Sequence, residues 1–353
     1  MAKRILKISG IVLIVLLLAA AALLIFLSIT EYRPADVEPA ELTATDDFDA
    51  KALSPGDEIS VLTWNTGYGG LGKDSDFFMD GGKNVRFADR GLVETNLAGI
   101  ADKIDALSPD FCLLQEVDAN SYRTYGIDER LVYAGGYWAY ARNFFTRFVP
   151  YPIPPIGRVE SGVMTVSKAE ISDAARIKLP SPFSWPVSMA NLKRCLLVTR
   201  IPLDGTDKEL VLVNLHLEAY DDGEGKAAQT RVLRELIEAE YAAGNYVVAG
   251  GDFNQAFPGT LEKYPVKYPE LWTPGVLEDD MLPDGWSFVY DDSSPTTRVL
   301  NEPYSGSTEN TQMFVIDGFI ISPNITLRSV DSLDEQFEYT DHNPVLMTAV
   351  LEK

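Results

Sequence analysis

The stretch VVAGGDFNQ, residues 247–255, decides the fold of this chain. Its apolar, β-branched start is typical of a buried strand, and the two glycines that follow allow the backbone to turn sharply or to approach a ligand. Because side chains alternate along an extended chain, Asp252 and Asn254 are expected to point to the same side. We therefore predict a strand that carries a carboxylate and a carboxamide to the edge of a sheet, although a plain strand-to-turn ending has the same pattern.

Other strand-like stretches also carry polar side chains near their ends. Each of these residues alone has an ordinary explanation, such as a turn asparagine, a surface glutamate or a histidine satisfied within a core. Together they indicate a site, because polar groups delivered by several strands to one edge of a sheet form a rigid constellation. In chain order these residues are Asn65, Glu116, His216, Asp317, Asp341 and His342.

Length and periodicity indicate one large α/β domain. The chain has 353 residues, of which 46% are hydrophobic, enough for a core of about 300 residues. Apolar residues recur at helical spacing in residues 93–107 and 229–243, which predicts two amphipathic helices among the strands. Residues 257–312 have little periodicity and are predicted to form a long loop, and loops of that length are often functional.

The N-terminus carries an apolar stretch long enough to cross a bilayer. Residues 8–29 are uncharged, and Lys3, Arg4 and Lys7 precede them, so the positive charge predicts a cytoplasmic N-terminus. We expect residues 1–7 to be a basic cytoplasmic tail and residues 8–29 an uncleaved, single-pass signal anchor in the cell membrane. A cleaved signal peptide is the alternative, but its apolar region is usually shorter, about 7–15 residues. The acidic, proline-rich residues 30–55 are predicted to be a linker, and residues 56–353 an extracytoplasmic globular domain.

The charge balance is strongly acidic. The net charge is −22, and the chain after residue 30 has 27 basic and 52 acidic residues, a net charge of −25. Such a surface repels polyanions, which disfavours nucleic acid as a partner, although the charge could serve solubility alone. Cys112 and Cys195 lie in apolar runs and are expected to be buried, and the sequence has no cysteine and histidine spacing typical of zinc sites.

A group of arginines falls in residues 137–160. This stretch is rich in aromatic residues and prolines and is predicted to be a loop carrying Arg142, Arg147 and Arg158. Because arginine is scarce in this acidic chain, the loop could bind a phosphate or a membrane surface. An ordinary packed surface loop is the alternative.

The polar strand ends, taken in order, resemble those of the endonuclease/exonuclease/phosphatase superfamily, which includes DNase I-like nucleases, neutral sphingomyelinases and inositol-polyphosphate 5-phosphatases. Both histidines of the chain fall at the family's two histidine positions. The resemblance implies an α/β (α+β) fold, a four-layer α/β/β/α sandwich of two mixed sheets, here preceded by one transmembrane helix in a membrane-anchored, bacterial-type member. The matching segments are Trp64-Asn65, Gln115-Glu116, Asn214-Leu215-His216, Gly251-Asp252-Phe253-Asn254, Ile316-Asp317 and Thr340-Asp341-His342.

The resemblance also implies roles for these residues. Glu116 would bind the catalytic Mg²⁺ or Mn²⁺ with Asn65 nearby, and Asp341 would belong to the metal site or support it. Asp252 would orient or deprotonate the attacking water.

Four further roles concern the substrate phosphate. Asn254 and His216 would donate hydrogen bonds to phosphoryl oxygens, and His342 would pair with Asp317. Family members often carry a tyrosine or arginine that contacts phosphate, and the candidates are Tyr140, Arg142, Arg194 and Arg298.

The implied function is that of a divalent-metal-dependent phosphoesterase displayed outside the cytoplasmic membrane. Water would attack phosphorus in line, on a phospholipid or a small phosphodiester, and we expect a monomer. A membrane-anchored surface nuclease is one alternative, for which Arg142, Arg147, Arg158 and Arg194 would have to supply a local basic patch. A non-catalytic binding domain on the same fold is the other alternative.

Overall fold

Two seven-stranded mixed sheets pack face to face at the centre of the structure, a computed structural model that describes residues 2–85, 89–221 and 223–353. Helices cover the outer face of each sheet, which gives the four layers expected from the sequence. The helices are α1 (Ala2–Thr30), α2 (Arg90–Leu107), α3 (Arg130–Tyr133), α4 (Glu224–Ala242) and α5 (Thr260–Lys263).

The strands alternate with these helices along the chain. They are β1 (Val37–Pro39), β2 (Glu41–Ala44), β3 (Glu58–Asn65), β4 (Phe111–Asp118), β5 (Tyr137–Val149), β6 (Gly157–Ser167), β7 (Asp173–Lys178), β8 (Cys195–Pro202), β9 (Glu209–His216), β10 (Tyr246–Asp252), β11 (Gln255–Ala256), β12 (Gly275–Val276), β13 (Ser287–Val289), β14 (Thr297–Arg298), β15 (Met313–Phe314), β16 (Asp317–Ile321), β17 (Ile325–Ser332) and β18 (Val345–Leu351).

Strand order places the polar strand ends of both sheets near one another. The first sheet runs β1-β7-β8-β9-β10-β16-β13, and the second runs β17-β18-β3-β4-β6-β5-β2. Strands β9 and β10 are parallel neighbours in the first sheet, as are β3 and β4 in the second. The carboxyl ends of parallel strands meet at one edge of a sheet, which is where open α/β sheets commonly hold ligands.

The core consists of three apolar layers. Between the sheets, residues such as Phe111 and Met347 of the second sheet pack against Val248 and Phe319 of the first. Helix α4 covers the first sheet with Leu233 and Ile237, and helix α2 covers the second with Val93, Leu97 and Ile100. Burial of these faces stabilises the fold by roughly 25 cal/mol per Å² of apolar surface.

Two predictions about the irregular segments are wrong. Residues 137–149, predicted as part of a loop, form β5, because their aromatic and β-branched side chains favour a strand that pairs with β6. The loop is confined to the proline-rich residues 150–156. Residues 33–55 are not a free tether, since β1 pairs with β7 and β2 with β5, so this segment adds an edge strand to each sheet.

Helix α4 begins five residues before its predicted start. The start was predicted from apolar residues at helical spacing, and the first turn of α4 has no large apolar residue that would continue this pattern. The carboxylate of Asp221 accepts the backbone N–H groups of Gly225 and Lys226, at 2.5 and 3.2 Å, which supplies partners that the first turn of a helix otherwise lacks. Residues 314–321 do not form one continuous strand, because β15 ends at Phe314 and β16 begins at Asp317.

Helix α1 is long and apolar enough to cross a membrane, by length and composition. An 18-residue window within Lys3–Thr30 has a mean hydropathy of 3.2, and most of this window is exposed. Its C-terminal end packs against the globular part, where Leu27 is buried and Ser28 Oγ donates to Met189 Sδ at 3.0 Å.

We predict that Gly251→Ala destabilises the protein by about 1–3 kcal/mol, because a rigid backbone atom blocks the added methyl group. A Cβ at Gly251, where φ is +151°, would lie 1.9 Å from the backbone oxygen of Leu215. The free energy of unfolding from urea denaturation of the two proteins measures the loss. The matched control is Gly135→Ala, where a Cβ meets nothing within 4 Å. Equal stability of the two variants would show that the close approach of β10 to β9 is not as tight as described.

Candidate active site

Three neighbouring strands bring the central polar residues together. Asp252 at the end of β10 lies opposite His216 of β9 and opposite Asp317 of β16 in the strand register. The same residue is therefore flanked on both sides by a side chain that can exchange protons or hydrogen bonds. Pairing of the strands sets this arrangement, so it needs no loop to hold it.

The carboxylate of Asp252 is also bonded to the opposite sheet. Asn65 Nδ2, at the end of β3, donates to Asp252 Oδ2 at 3.0 Å, and the backbone N–H of Asn254 donates to Oδ1 at 2.8 Å. Asn65 Oδ1 accepts the N–H of Gly67 at 3.1 Å, which fixes the amide orientation. Burial, and next the charge of Asp317, raise the pKa of Asp252 to about 6.

Asn254 reaches the site by a different backbone geometry from the one expected. The chain is not extended there, because β10 ends at Asp252 and Asn254 has a left-handed φ of +50°. Its Nδ2 donates one hydrogen to the Leu217 carbonyl oxygen at 2.9 Å. A carboxamide nitrogen has two hydrogens, so one remains for a ligand.

The surroundings of His342 favour its positively charged form. Burial opposes that charge, yet the neighbouring Asp317 carboxylate, through its charge and its hydrogen bond, holds the pKa of His342 well above its usual range. His342 Nδ1 lies 2.9 Å from Asp317 Oδ2, and Nε2 lies 3.2 Å from the Thr297 hydroxyl. In the imidazolium both nitrogens donate.

His216 has the opposite electrostatic surroundings. Burial, followed by the positive charges of Arg194 and His342, holds the pKa of His216 well below its usual range, so the ring is neutral. His216 Nε2 lies 3.5 Å from Asp252 Oδ2 and 4.0 Å from Glu116 Oε1. The neutral ring can therefore donate a hydrogen bond from this nitrogen without adding charge.

Glu116 projects from an irregular point of β4. Its backbone has a left-handed φ of +59°, and the pairing of β4 with β6 shifts register between Leu114 and Val117. Such irregularities re-aim a side chain at the end of a strand. Burial, and next the charge of Asp341, raise the pKa of Glu116 to about 8, while burial also raises the pKa of Asp341.

The charge of this cluster suits a divalent cation. Four carboxylates, those of Glu116, Asp252, Asp317 and Asp341, lie near three cationic groups, those of His342, Arg123 and Arg298, and Asp317 Oδ1 lacks a hydrogen-bond partner within the described residues. Buried carboxylates that outnumber nearby cations are costly unless they are protonated or hold a metal. Carboxylate oxygens are also the ligands that Mg²⁺ and Mn²⁺ prefer.

Two groups of residues could hold that cation. Oxygen and nitrogen atoms of Asp252, Asp317 and His342 all lie within 4.8 Å of one another. However, both ring nitrogens of His342 already have partners, and a metal on either nitrogen would displace a proton that Asp317 stabilises. Burial raises the pKa values of Glu116 and Asp341, and the charge of Asp341 raises the pKa of Glu116 further, so these two residues are the better-suited pair.

One cavity of about 630 Å³ joins these residues. Asp317 does not line the cavity and contacts His342, which does. The other site residues predicted from the sequence that line the cavity are Asn65, Glu116, Arg194, His216, Asp252, Asn254, Arg298 and Asp341. Arg194 Nη1 donates to the His216 carbonyl oxygen at 3.0 Å, and its Nε lies 3.3 Å from Glu218 Oε2. Arg194 thus supports the end of β9 from the cavity wall.

Tyr140 and Arg142 do not line this cavity. Both lie within β5 rather than in a loop, so strand pairing fixes their positions. The Tyr140 hydroxyl donates to the Val117 carbonyl oxygen at 3.2 Å, and Arg142 Nη2 lies 2.8 Å from Glu160 Oε1. The phosphate contact proposed for these two residues from the sequence is therefore not supported.

Several lining residues carry no clear signal in the sequence. Thr297 lies two residues after Pro295 in a stretch with little periodicity, yet its hydroxyl contacts His342. Tyr68 lies in the glycine-rich segment after β3, and the Arg123 guanidinium stacks 3.3 Å from the centre of its ring. The sequence provides only one hint of their role: they lie near the segments that match the family or within long segments that lack periodicity. Such residues include Tyr68, Asp80, Arg123, Tyr220 and Thr297.

Comparisons with known proteins identify the family. A sequence profile of the Endonuclease/Exonuclease/phosphatase family, whose members are generally dependent on a divalent metal, matches residues 62–342. A comparison with curated proteins finds no match.

Solved structures share the fold. The chain is similar to an endonuclease/exonuclease/phosphatase from Beutenbergia cavernae DSM 12333, with 18% identity and a TM-score of 0.57 over 84% of this chain and 72% of that chain. It is similar to a family protein from Bacteroides thetaiotaomicron, with 13% identity and a TM-score of 0.53 over 84% and 99%. It is also similar to ANGEL2, a 2',3'-cyclic phosphatase, with 16% identity and a TM-score of 0.53 over 90% and 99%. At these identities the likeness concerns the fold alone.

We predict that the affinity of the full-length protein for Mg²⁺ or Mn²⁺ rises with pH and levels off above about pH 8. Burial, and next the charge of Asp341, raise the pKa of Glu116 to about 8, so Glu116 holds a proton below that pH and must release it when it binds a cation. One released proton changes the affinity by up to about tenfold per pH unit. Isothermal titration calorimetry in detergent, at stepped pH, measures this dependence.

Two variants sharpen this measurement. Glu116→Gln should lose most of the binding, whereas Asp102→Asn, on the exposed side of α2, should follow the wild-type curve. An affinity that does not change with pH, or that survives in Glu116→Gln, would contradict a cation site at Glu116.

Proposed function

Because this chain belongs to the endonuclease/exonuclease/phosphatase family and is thus a hydrolase of phosphoric ester bonds, we propose that it works with Mg²⁺ or Mn²⁺ and activates water for in-line attack on phosphorus. The observation that carries this proposal is the position of Asp252. It lies in register between His216 and Asp317 and receives the Asn65 amide from the opposite sheet.

Asp252 is the proposed base. Its pKa of about 6 leaves it largely ionised at neutral pH and close to the value that suits proton transfer. The water oxygen forms a bond to phosphorus while a water proton passes to Asp252. The bond between phosphorus and the ester oxygen breaks, and the leaving oxygen keeps the bonding pair and takes up a proton from solvent.

The two histidines are proposed to bind the phosphoryl oxygens in different charge states. His342, held positive by Asp317, contributes a charge-assisted hydrogen bond, which is roughly twice as strong as a neutral one. His216 contributes a neutral donor, and Asn254 contributes its remaining amide hydrogen. Strand pairing and buried hydrogen-bond partners fix these three side chains. They therefore need little reorganisation as negative charge develops on the phosphoryl oxygens in the transition state.

Glu116 and Asp341, with Asn65 beside them, are the residues proposed to hold the divalent cation. When bound there, the cation neutralises charge on the phosphoryl oxygens and stabilises the leaving oxygen. The excess of buried carboxylates supports this assignment.

We propose that the substrate is a phospholipid or a small phosphodiester. The charge of −25 after residue 30 disfavours nucleic acid, since it repels polyanions. Two of the four arginines that a nuclease would need have their charge paired with a carboxylate, Arg142 with Glu160 and Arg194 with Glu218. A surface nuclease is the second candidate, and a steep decrease of activity on DNA with added salt would favour it.

Helix α1 is the proposed membrane anchor. The basic residues Lys3, Arg4 and Lys7 at its start favour a cytoplasmic N-terminus and a catalytic domain outside the cytoplasmic membrane. The domain is proposed to act as a monomer.

We predict that the full-length protein in detergent hydrolyses generic water-soluble phosphodiesters or phosphomonoesters with Mg²⁺ or Mn²⁺, and that a chelator abolishes the activity. Asp252→Asn should lower kcat/KM by about 10²–10⁴-fold, because it removes the base. His342→Ala should lower it by about 10²–10³-fold, because it removes a preorganised positive donor. Initial rates over a substrate panel measure these effects.

Asp102→Asn is the control and should keep wild-type rates. Full activity in Asp252→Asn and His342→Ala, or the absence of hydrolysis with both metals, would contradict the proposed function. The protein must keep residues 33–55 in this test, since β1 and β2 belong to the two sheets.

A further inference from the structure

The cavity that holds the polar cluster extends to helix α1. At one end it is lined by Glu116, His216, Asp252 and His342, and at the other by Leu23, Leu24 and Leu27 of α1. A helix proposed to lie in lipid therefore forms part of the wall of a catalytic cavity. A membrane anchor needs no contact with the catalytic cavity. Anchoring alone therefore does not explain why leucines of α1 line the cavity that holds the polar cluster.

Two further segments form the apolar end of the cavity. One is the connection between β5 and β6, which contributes Val149, Pro150, Tyr151 and Ile156. The other is the segment before β8, which contributes Phe183, Pro186, Val187, Met189 and Leu192. Both segments meet at the C-terminal end of α1, and their lining is apolar in contrast to the charged end.

Specific contacts fix α1 against these segments. Ser28 Oγ donates to Met189 Sδ at 3.0 Å, and Lys193 Nζ donates to Glu31 Oε1 at 2.9 Å. The ring of Tyr32 meets the ring of Phe145 edge-on, with centroids 6.0 Å apart. The exit of α1 is therefore attached to the mouth of the cavity rather than separated from it by a tether.

Large apolar side chains project into solvent at this same mouth. Tyr151 and Ile153 are 72% and 80% exposed, and Trp185 and Val187 are 62% and 56% exposed. We call these four residues the apolar lip. Exposed clusters of this kind mark surfaces that bind a partner or a membrane, and tryptophan and tyrosine favour the interface between lipid and water.

The depth of the leucines identifies the partner as lipid. Leu23 lies seven residues before the end of α1 at Thr30, which is about 10 Å along a helix axis. If α1 crosses a bilayer whose apolar core is roughly 30 Å thick, this part of the cavity wall lies at the depth of acyl chains. The lip surrounds that point, so its exposed side chains are continuous with the apolar surface of the helix.

We propose that the apolar lip is seated in the bilayer that α1 crosses, and that the cavity admits a membrane lipid whose apolar chain lies along Leu23, Leu24 and Leu27 while its phosphate ester reaches Asp252. This inference rests on the proposed function for the hydrolytic step. It goes beyond that function in assigning the lip as a membrane-binding surface and the apolar half of the cavity as the subsite for a lipid chain. The cavity volume of about 630 Å³ is within the range of ligand sites, about 300–1,000 Å³.

The seating of the lip is tested without any measurement of activity. Ile153→Cys in the full-length protein, with a nitroxide attached, is reconstituted in nanodiscs of phosphatidylcholine and phosphatidylglycerol. The native Cys112 and Cys195 are buried, so the label reports on position 153. We expect electron paramagnetic resonance to show high accessibility to oxygen and low accessibility to a water-soluble nickel complex. The matched control, Asp105→Cys on the exposed side of α2, should show the reverse, and an aqueous environment at position 153 would overturn the proposal.

The role of the apolar lip in admitting lipid is tested by comparing two substrates. Ile153→Ser/Trp185→Ser should hydrolyse the nanodisc lipids about tenfold or more slowly than wild type, since apolar side chains would no longer be buried in the bilayer. Its rate on a water-soluble phosphodiester should be unchanged, because neither residue lines the cavity. Equal loss on both substrates, or no loss on lipid, would overturn the role of the lip in substrate entry.

These outcomes are separate from failure of the proposed function. A wild-type protein that hydrolyses neither substrate contradicts the phosphoesterase proposal, whereas the accessibility of position 153 still decides whether the lip lies in lipid.

Discussion

The hydrogen bond from Asn65 to Asp252 joins the two sheets at the point where the site is built. Each sheet alone presents only part of the polar cluster, Asn65 and Glu116 in one and His216, Asp252 and Asp317 in the other. The apolar layer between the sheets sets their separation, and this buried bond connects their ends, next to the buried bonds that Asn214 makes with Gln115 and Leu114 of the opposite sheet. Gly251, which lets β10 approach β9 closely, and the strand register of β9, β10 and β16 set the remaining distances.

This arrangement gives chemically similar side chains different properties. His342 faces Asp317 and is positive, whereas His216 is buried near Arg194 and is neutral. Asp252 receives two hydrogen bonds and has a pKa raised only to about 6, whereas Glu116 faces Asp341 and has a pKa raised to about 8. Pairs of titratable groups whose surroundings separate their pKa values are typical of sites that transfer protons. The environment, more than the residue type, therefore distinguishes a base from a cation ligand.

Much of the fold and of the polar cluster could be predicted from the sequence. Apolar strands that end in Asn65, Glu116, His216 and Asp252 have a local pattern, and strand ends of one sheet meet in space. The strand at residues 137–149 was missed because the prolines that follow it suggested a loop. The lining residues Tyr68 and Thr297 could not be found, since their position depends on long-range packing that has no periodic pattern. The role of Leu23 and Leu27 in the cavity wall was also hidden, because hydropathy indicates a membrane span but not what it packs against.

The central claim is that Glu116 and Asp341, at the edge of the second sheet, hold a divalent cation next to Asp252 of the first sheet. A crystal of the full-length protein soaked in Mn²⁺ tests this claim most directly, because anomalous scattering locates the ion independently of activity. The account predicts an anomalous peak bonded to carboxylate oxygens of Glu116 and Asp341, with the contact between His342 and Asp317 intact. A peak bonded to His342, or the absence of any peak in this cavity, would contradict it.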